Sequence, residues 1–319
     1  METHRFEHEP VMAAEIVAVF AAVPPGLVVD ATVGGGGHAS ALLAAHPHLE
    51  VLGLDRDPAA LSAARETLAP FGGRARLVHA RFDRLTSIMT DFGLRSISGA
   101  LFDLGVSSHQ LDSAGRGFAY RHDAPLDMRM DPTEPWSAGD VVNGYTETEL
   151  AHVLREHADE RWASRIAKAI VAARPIQSTS ELARVVVEAI PAPARRRGGH
   201  PAKRTFQAIR IEVNRELELL PGALDAAVSA THAGGRVAVL SYHSGEDRIV
   251  KDRFRFHETG GCHCPNDLPC VCGAVRTVRL VRAPRRPSAA EVEHNPRSSS
   301  ARLRVVERLP DGGAAESER

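Results

Sequence analysis

Four apolar runs alternate with helical stretches over the first hundred residues, and this alternation constrains the fold more than any other feature of the chain. Each run has the length of a buried strand, and Asp57 followed by Pro58 is typical of the start of a helix. Strands and helices in this order predict right-handed βαβ units and a parallel sheet. The four predicted strands cover residues 27–32, 51–55, 74–82 and 98–105, and the predicted helices cover 38–46 and 57–69.

The alternation stops after the fourth run, because residues 112–230 carry almost only helical patterns. Ser178 with Glu181 and Thr146 with Glu149 have the spacing of capping boxes at helix starts. Strand character then returns in three later runs, at 234–244, 275–281 and 301–309.

These patterns predict an α/β fold, a Rossmann-like sheet interrupted by an all-helical insertion. We expect the sheet domain to comprise residues 1–111 and 231–309. Residues 112–230 form the predicted helical domain, and residues 310–319 form a predicted disordered tail.

Composition sets limits on partners and location. Lys and Arg number 39 against 40 Asp and Glu, so a nucleic-acid partner would have to meet a local basic patch. No apolar stretch reaches the length of about 18–20 residues that a membrane span needs. The first residues carry several glutamates, unlike a signal peptide, and the cysteines cluster in one short segment instead of spreading as in a disulfide scaffold. We therefore expect a cytoplasmic protein.

Four consecutive glycines, Gly34–Gly37, follow the first predicted strand. A dinucleotide-binding turn has a similar glycine pattern, and a tight turn without any ligand is the alternative. Asp30 ends the strand before the turn, where a carboxylate would repel a pyrophosphate but attract a cationic group. Asp55 ends the second strand, where a carboxylate accepts hydrogen bonds from ribose hydroxyls. S-adenosylmethionine, which carries a ribose and a sulfonium, suits this combination.

Asp103 ends the fourth predicted strand, in the motif LFDLGVSSHQLD. Other motifs of the chain are HEPVM, DATVGGGGHA, LDRDP, GRGFAYRHDAPLDMRMD, HPAKRTFQAIRIEVNREL, SYHSGEDRIVK and RPSAAEVEHNPRSSSARLRVVER. In sequence and in order these motifs resemble those of the bacterial 16S ribosomal RNA cytosine-N4 methyltransferases, the MraW/RsmH family. The resemblance extends from residue 8 to residue 308.

The resemblance implies a class I S-adenosylmethionine-dependent methyltransferase that acts on N4 of cytosine 1402 of 16S rRNA, in the decoding centre of the small ribosomal subunit. It also implies the residues that contact the cofactor. These are Gly36, Gly37, His38, Asp55, Phe82, Asp103 and Gln110.

Asp103 is also the predicted catalytic residue. The N4 amine of cytosine is a poor nucleophile, because its lone pair is delocalised into the ring. An acceptor that binds and finally takes an amine proton would assist the transfer. The alternative is that Asp103 binds the cofactor only.

Basic residues of the insertion are the predicted RNA contacts, because phosphates attract cationic side chains. They are Arg195, Arg196, Arg197, Lys203, Arg204 and Arg210, and a solvated basic loop is the alternative. Tyr120, His122 and Arg129 are further candidates for contacts with the base or the RNA backbone. Met128, Met130 and Phe206 are expected to pack in the core. His243 either contacts the substrate or serves the structure.

The segment CHCPNDLPCVC holds all four cysteines, Cys262, Cys264, Cys270 and Cys272. Four thiolates in a short loop suit zinc, but the spacing C-x-C is less typical of zinc sites than C-x₂-C. Thiols without metal or a redox-labile pair are the alternatives, and no metal ligand is assigned from the sequence.

Other functions remain compatible with parts of the sequence. The glycine turn and Asp55 also suit a nucleotide-dependent oxidoreductase. The basic insertion suits a non-catalytic RNA-binding ribosome-assembly factor. An amino-methyltransferase acting on DNA is disfavoured, because Leu104 and Gly105 follow Asp103 where such enzymes commonly have Pro-Pro and an aromatic residue.

Overall fold

The computed structural model describes residues 10–107, 110, 111, 113–195, 199–265 and 271–310. The chain forms two compact units, one of Met1–Gly105 with Leu219–Arg319 and one of Val106–Glu218. Within the described residues, no helix combines the length and the apolar character that crossing a bilayer requires.

The first unit contains a seven-stranded sheet in the order β3-β2-β1-β4-β5-β7-β6. Strands β1 to β5 are parallel to one another, and β7 is antiparallel to both β5 and β6. The predicted Rossmann-like sheet with a helical insertion is confirmed. The strands are β1 (Gly26–Asp30), β2 (Leu49–Asp55), β3 (Ala75–His79), β4 (Ile97–Asp103), β5 (Thr231–Ser241), β6 (Val278–Leu280) and β7 (Arg302–Arg308).

Helices cover the sheet, and the apolar strands are buried as expected for parallel strands with covered faces. Asp57 accepts a hydrogen bond from the Ala59 amide and Pro58 begins its helix, as predicted. The helices of this unit are α1 (Ala13–Phe20), α2 (Gly37–Ala45), α3 (Pro58–Leu68), α4 (Leu85–Asp91), α11 (Glu216–Ala230), α12 (Ser244–Thr259) and α13 (Ala289–His294).

Residues 219–230 of helix α11 belong to the first unit. Leu220, Leu224 and Val228 lie in the same core as Val29 and Phe102 of the sheet. Residues 219–230, predicted as part of the insertion, thus pack with the sheet. These residues form an apolar face of the helix. The sequence pattern shows this face but does not show which element packs against it.

The second unit is helical around its own apolar core. Met128, Met130 and Phe206 are buried in this core, as predicted. Thr146 and Glu149 form the predicted capping box, and the Ser178 hydroxyl accepts a hydrogen bond from the Glu181 amide. Its helices are α5 (Ala138–Gly144), α6 (Glu147–Ala158), α7 (Ala163–Ala172), α8 (Thr179–Ala189), α9 (Ala192–Arg195) and α10 (Lys203–Asn214).

Candidate active site

The glycine turn after β1 is tied to the end of β2. The Gly34 amide donates to Oδ2 of Asp55 at 2.9 Å, and the Asp57 amide donates to Oδ1 at 2.9 Å. Gly34 and Gly36 have φ angles of 52° and 85°, which residues other than glycine rarely adopt. Two predicted cofactor elements, the turn and Asp55, are therefore held together by the fold.

Asp103 ends β4 and is held from two sides. Its backbone amide donates to Oγ1 of Thr32 at 2.6 Å, which joins it to the segment after β1. Its Oδ1 accepts a hydrogen bond of 2.7 Å from the Tyr242 hydroxyl. The Asp103 side chain keeps 26% of its surface exposed, so the carboxylate is accessible to a ligand.

His38 lies in the first turn of α2 and is almost fully buried. Its Nε2 is 2.9 Å from the Val11 carbonyl oxygen, so Nε2 carries the proton, because a carbonyl can only accept. Its Nδ1 is 3.5 Å from Oδ2 of Asp103. The predicted cofactor contact His38 is thus brought beside the predicted catalytic residue.

Tyr242 was not singled out from the sequence, although it directly follows β5. Burial and the neighbouring Asp103 carboxylate raise the pKa of Tyr242 well above its usual value. The phenol therefore keeps its proton near neutral pH and acts as a hydrogen-bond donor. Its position at the end of the strand next to β4 is the signal that could have identified it.

Asp30 is buried at the end of β1, the strand between β2 and β4. Burial raises its pKa to about 8, the Thr32 amide opposes the shift, and the charges of Asp103 and Asp55 add to it. Burial likewise raises the pKa of Asp55. The carboxyl groups of Asp55 and Asp103, at the ends of β2 and β4, suit a ligand with hydroxyl groups and positive charge, whereas the buried Asp30 keeps its proton near neutral pH. The donors and acceptors present therefore fit S-adenosylmethionine.

Phe82 and Gln110, two further predicted cofactor contacts, lie in different units. Phe82 begins a 3₁₀ turn after β3 instead of ending a longer strand, and its ring packs edge-on against Phe102 with 6.1 Å between centroids. Gln110 is buried in the second unit, where its Oε1 accepts a hydrogen bond from the Ser107 amide at 3.1 Å.

A cavity of about 490 Å³ adjoins Tyr242 and the first turn of α12, and we call it the cationic pocket. Four basic side chains line it, those of Arg248, Lys251, Arg286 and Arg302. Among the described lining residues the carboxylate is that of Asp247, which forms two hydrogen bonds with Arg304, at 2.7 and 3.0 Å. The cationic pocket was not predicted, because its basic residues are dispersed over 55 positions of sequence, from 248 to 302.

His243 caps α12, which favours its structural interpretation. Its Nδ1 accepts a hydrogen bond from the Glu246 amide at 3.4 Å, and Oε2 of Glu246 accepts one from the His243 amide at 3.2 Å. Its Nε2 lies 3.1 Å from Oε1 of Glu246 but outside hydrogen-bonding geometry.

The predicted RNA contacts of the second unit differ in their surroundings. Arg210 forms a largely buried pair with Glu216 at 2.9 and 3.0 Å, which argues against a phosphate contact. Arg195 donates to carbonyl oxygens at the end of α8, and Arg204 donates to the Asp159 carbonyl. Lys203 is exposed, and Arg196 and Arg197 lie outside the described residues.

The other candidates of the second unit also have protein partners. The Tyr120 ring stacks on His200 at 4.3 Å between centroids. Arg129 forms two hydrogen bonds of 2.8 Å with Asp127, and the His122 carbonyl accepts a hydrogen bond from the Thr179 hydroxyl. Whether these residues meet RNA stays a prediction.

Comparison with known proteins decides the family. A family model described as the MraW methylase family matches residues 5–309. The chain belongs to the MraW methylase family. Membership confirms the resemblance that the sequence motifs indicated and identifies a methyltransferase, which excludes the oxidoreductase interpretation.

Relatives within this family extend over nearly the whole chain. The chain is 51% identical to ribosomal RNA small subunit methyltransferase H of Symbiobacterium thermophilum, covering 97% of this chain and 99% of the relative. It is 51% identical to the protein of the same name from Saccharopolyspora erythraea, covering 96% and 95%. Among solved structures, an rRNA methylase from Streptococcus thermophilus matches with 13% identity, a TM-score of 0.39 and 93% coverage of both chains.

Proposed function

We propose that this chain methylates N4 of a cytosine in 16S rRNA, cytosine 1402 of the decoding centre. The observation that carries the proposal is the Asp103 carboxylate, which is accessible at the end of β4 and oriented by Tyr242. The names of the relatives supply the substrate class, small-subunit ribosomal RNA. The base and its position are what the resemblance to the family implies. Such a substrate implies action in the cytoplasm.

Gly36, Gly37, His38, Asp55, Phe82 and Asp103 are the proposed cofactor-binding residues of the sheet unit, and Gln110 is that of the helical unit. S-adenosylmethionine supplies an electrophilic methyl group on a sulfonium when bound. Asp55 accepts the ribose hydroxyls, because carboxylate oxygens have lone pairs beyond those used by two backbone amides.

Asp103 promotes the transfer by accepting a hydrogen bond from the cytosine amine. This bond favours a tetrahedral nitrogen, whose lone pair is then directed at the methyl carbon. With S-adenosylmethionine bound, Asp103 would take the proton that the amine loses on methylation. Tyr242 holds Oδ1 of the carboxylate, and Oδ2 lies beside His38.

The RNA contacts we propose are basic side chains of both units. In the sheet unit they are those of the cationic pocket, which also adjoins the positive end of the α12 dipole. In the helical unit they are Arg195, Lys203 and Arg204, together with Arg196 and Arg197. Lys203 is exposed at the start of α10, where solvent and a phosphate could both reach its ammonium group.

Mass spectrometry of 16S rRNA from cells with and without the gene tests the substrate. We expect N4-methylcytidine at position 1402 to disappear without the gene and to return with the wild-type chain but not with Asp103→Asn. Unchanged methylation would contradict the proposal. Purified protein offered free 16S rRNA or assembled 30S subunits then identifies the form that is methylated. An assembly factor without catalysis would restore growth equally well with Asp103→Asn.

A further inference from the structure

Three cysteines from both ends of one loop lie together after helix α12. The Sγ atoms of Cys262, Cys264 and Cys272 are all within 4.8 Å of one another. The sulfurs of Cys262 and Cys272 are 3.6 Å apart. Zinc–sulfur bonds of about 2.3 Å at tetrahedral angles place two ligand sulfurs roughly 3.8 Å apart. The spacing is thus close to that of a tetrahedral thiolate site.

A backbone amide supports one of these sulfurs. The Cys264 amide donates to Sγ of Cys262 at 3.4 Å. Hydrogen bonds to ligand atoms orient them and stabilise their charge, a recurrent feature of the surroundings of metal ligands. The bond arises from the C-x-C spacing itself, because the second amide after Cys262 folds back onto its sulfur.

The base of the loop is closed by the fold. Gly260 ends α12 with a φ of 63°, and a Cβ there would lie 2.5 Å from the Val275 carbonyl oxygen. The Thr277 amide donates to the His257 carbonyl at 2.9 Å. These contacts hold the two ends of the loop together. Cys262 and Cys272 are therefore close to each other before any metal binds.

The described part of the loop has no apolar core of its own. Among its described residues, 262–265 and 271–276, none is buried, and Val271 and Val275 are 89% and 63% exposed. Small structural elements that bury little apolar surface are commonly stabilised by disulfides or by a structural metal. The clustered thiols are the groups available for such a link.

We propose that Cys262, Cys264 and Cys272 bind a structural Zn²⁺ ion. Thiolates are soft ligands that select zinc over magnesium or calcium, and three of them occupy three of its four tetrahedral positions. Binding exchanges three thiol protons for the ion, so protons are released as the site fills. Cys270 lies outside the described residues and is not part of the proposed site.

The test is the metal content of untagged full-length protein, purified under reducing conditions without chelator. We expect about one zinc per chain by mass spectrometry of the metal, and less than a tenth of an equivalent would overturn the proposal. Cys262→Ser, Cys264→Ser and Cys272→Ser should each lose zinc at least tenfold. Val271→Ala, in the same loop, should retain it.

If a serine variant does not fold, replacement of the metal by cobalt in the wild-type protein tests the proposal instead. Wild-type protein loaded with Co²⁺ should show the near-ultraviolet absorption of cobalt–thiolate bonds and the visible bands of tetrahedral cobalt. Absence of both, with the cysteines titrating as thiols after unfolding, would overturn the proposal. The methyltransferase proposal is unaffected by either outcome, because the cysteine loop contributes none of its residues.

Discussion

The Tyr242 hydroxyl donates a hydrogen bond of 2.7 Å to Oδ1 of Asp103, and so joins the ends of the neighbouring strands β4 and β5. Burial and the Asp103 charge raise the pKa of Tyr242, so the proton stays on the phenol. The bond fixes the rotation of the carboxylate. A catalytic acceptor must point at the amine proton within a narrow range of angles, so this orientation bears directly on turnover.

Tyr242→Phe removes the donor and keeps the ring. We expect kcat to fall roughly tenfold, in the range found when partners of functional side chains are removed, with cofactor affinity changed less than about twofold. Tyr145→Phe is the matched control, because it deletes the same atom from a 2.7 Å bond to Glu212 in the helical unit. Equal losses of kcat in both variants would contradict the orienting role of Tyr242.

Asp103→Asn preserves the shape and still accepts the Tyr242 bond, but it cannot take a proton. General-base catalysis contributes about 10²–10⁴-fold, so we expect single-turnover rates to fall at least about 100-fold. Calorimetry should show cofactor affinity reduced far less. A proportional loss of affinity and rate would assign Asp103 to cofactor binding alone.

Asp30 makes the stability of the unliganded protein depend on pH. Its pKa rises on folding to about 8, so the unfolded chain releases this proton first. The resulting contribution to stability is complete below the ordinary pKa of 3.8 and is lost as the pH rises through about 8. The side chain of Asp30→Asn cannot ionise. The melting temperature of this variant minus that of the wild type should therefore increase from pH 5 to pH 9. We expect an increase of at least roughly 2–4 °C, and parallel curves would contradict the shifted pKa.

Gly36 and Gly35 form a matched pair within the glycine turn. An alanine at position 36 would have to adopt a φ of 85°, and its Cβ would lie 3.2 Å from Cγ of Leu68. A Cβ at position 35 would have no atom within 4 Å. The left-handed conformation costs about 1–2 kcal/mol for other residues. Thermal denaturation should show Gly36→Ala destabilised and Gly35→Ala near wild type. Equal melting temperatures would contradict the strain at Gly36.

The cationic pocket should act on RNA binding and not on cofactor binding. Replacing Arg248 and Lys251 by alanine should raise the KM for RNA about tenfold at physiological salt. If both side chains contact single-stranded phosphates, the slope of the logarithm of the RNA-binding constant against the logarithm of the salt concentration should become shallower by about 1.4. Each lost contact accounts for roughly 0.7 of this change. Arg95→Ala is the control, because this exposed cation precedes β4 and so lies at the other end of that strand from Asp103. An unchanged KM for RNA in the double variant would remove the pocket from the interface.

The position of the site could be predicted from the sequence, because its acidic residues lie at the ends of predicted strands. Asp30, Asp55 and Asp103 each close an apolar run, and parallel strands bring their carboxyl ends to one edge. Tyr242 also closes a strand, but its partner depends on which strand β5 lies beside. That neighbour is decided by the order of strands in the sheet, which no local pattern encodes.

Packing in three dimensions also explains the differences. Arg210 looks like its basic neighbours in sequence, yet the start of α11 brings Glu216 to it and turns it into a largely buried ion pair. Strand β3 ends at His79 because the chain turns toward Phe82, whose ring packs against Phe102 of β4. In each case burial or a distant partner outweighs the local pattern.

The 139-residue separation of Asp103 and Tyr242 has a consequence for synthesis of the chain. At about 5–20 residues per second, Tyr242 leaves the ribosome on the order of ten seconds or more after Asp103. Strand β5 then still lacks its other neighbour, β7, which comes last in the sequence. The four amino-terminal strands therefore keep an open edge until β5 is made, and the nascent enzyme has no oriented carboxylate before at least 242 of its 319 residues have been synthesised.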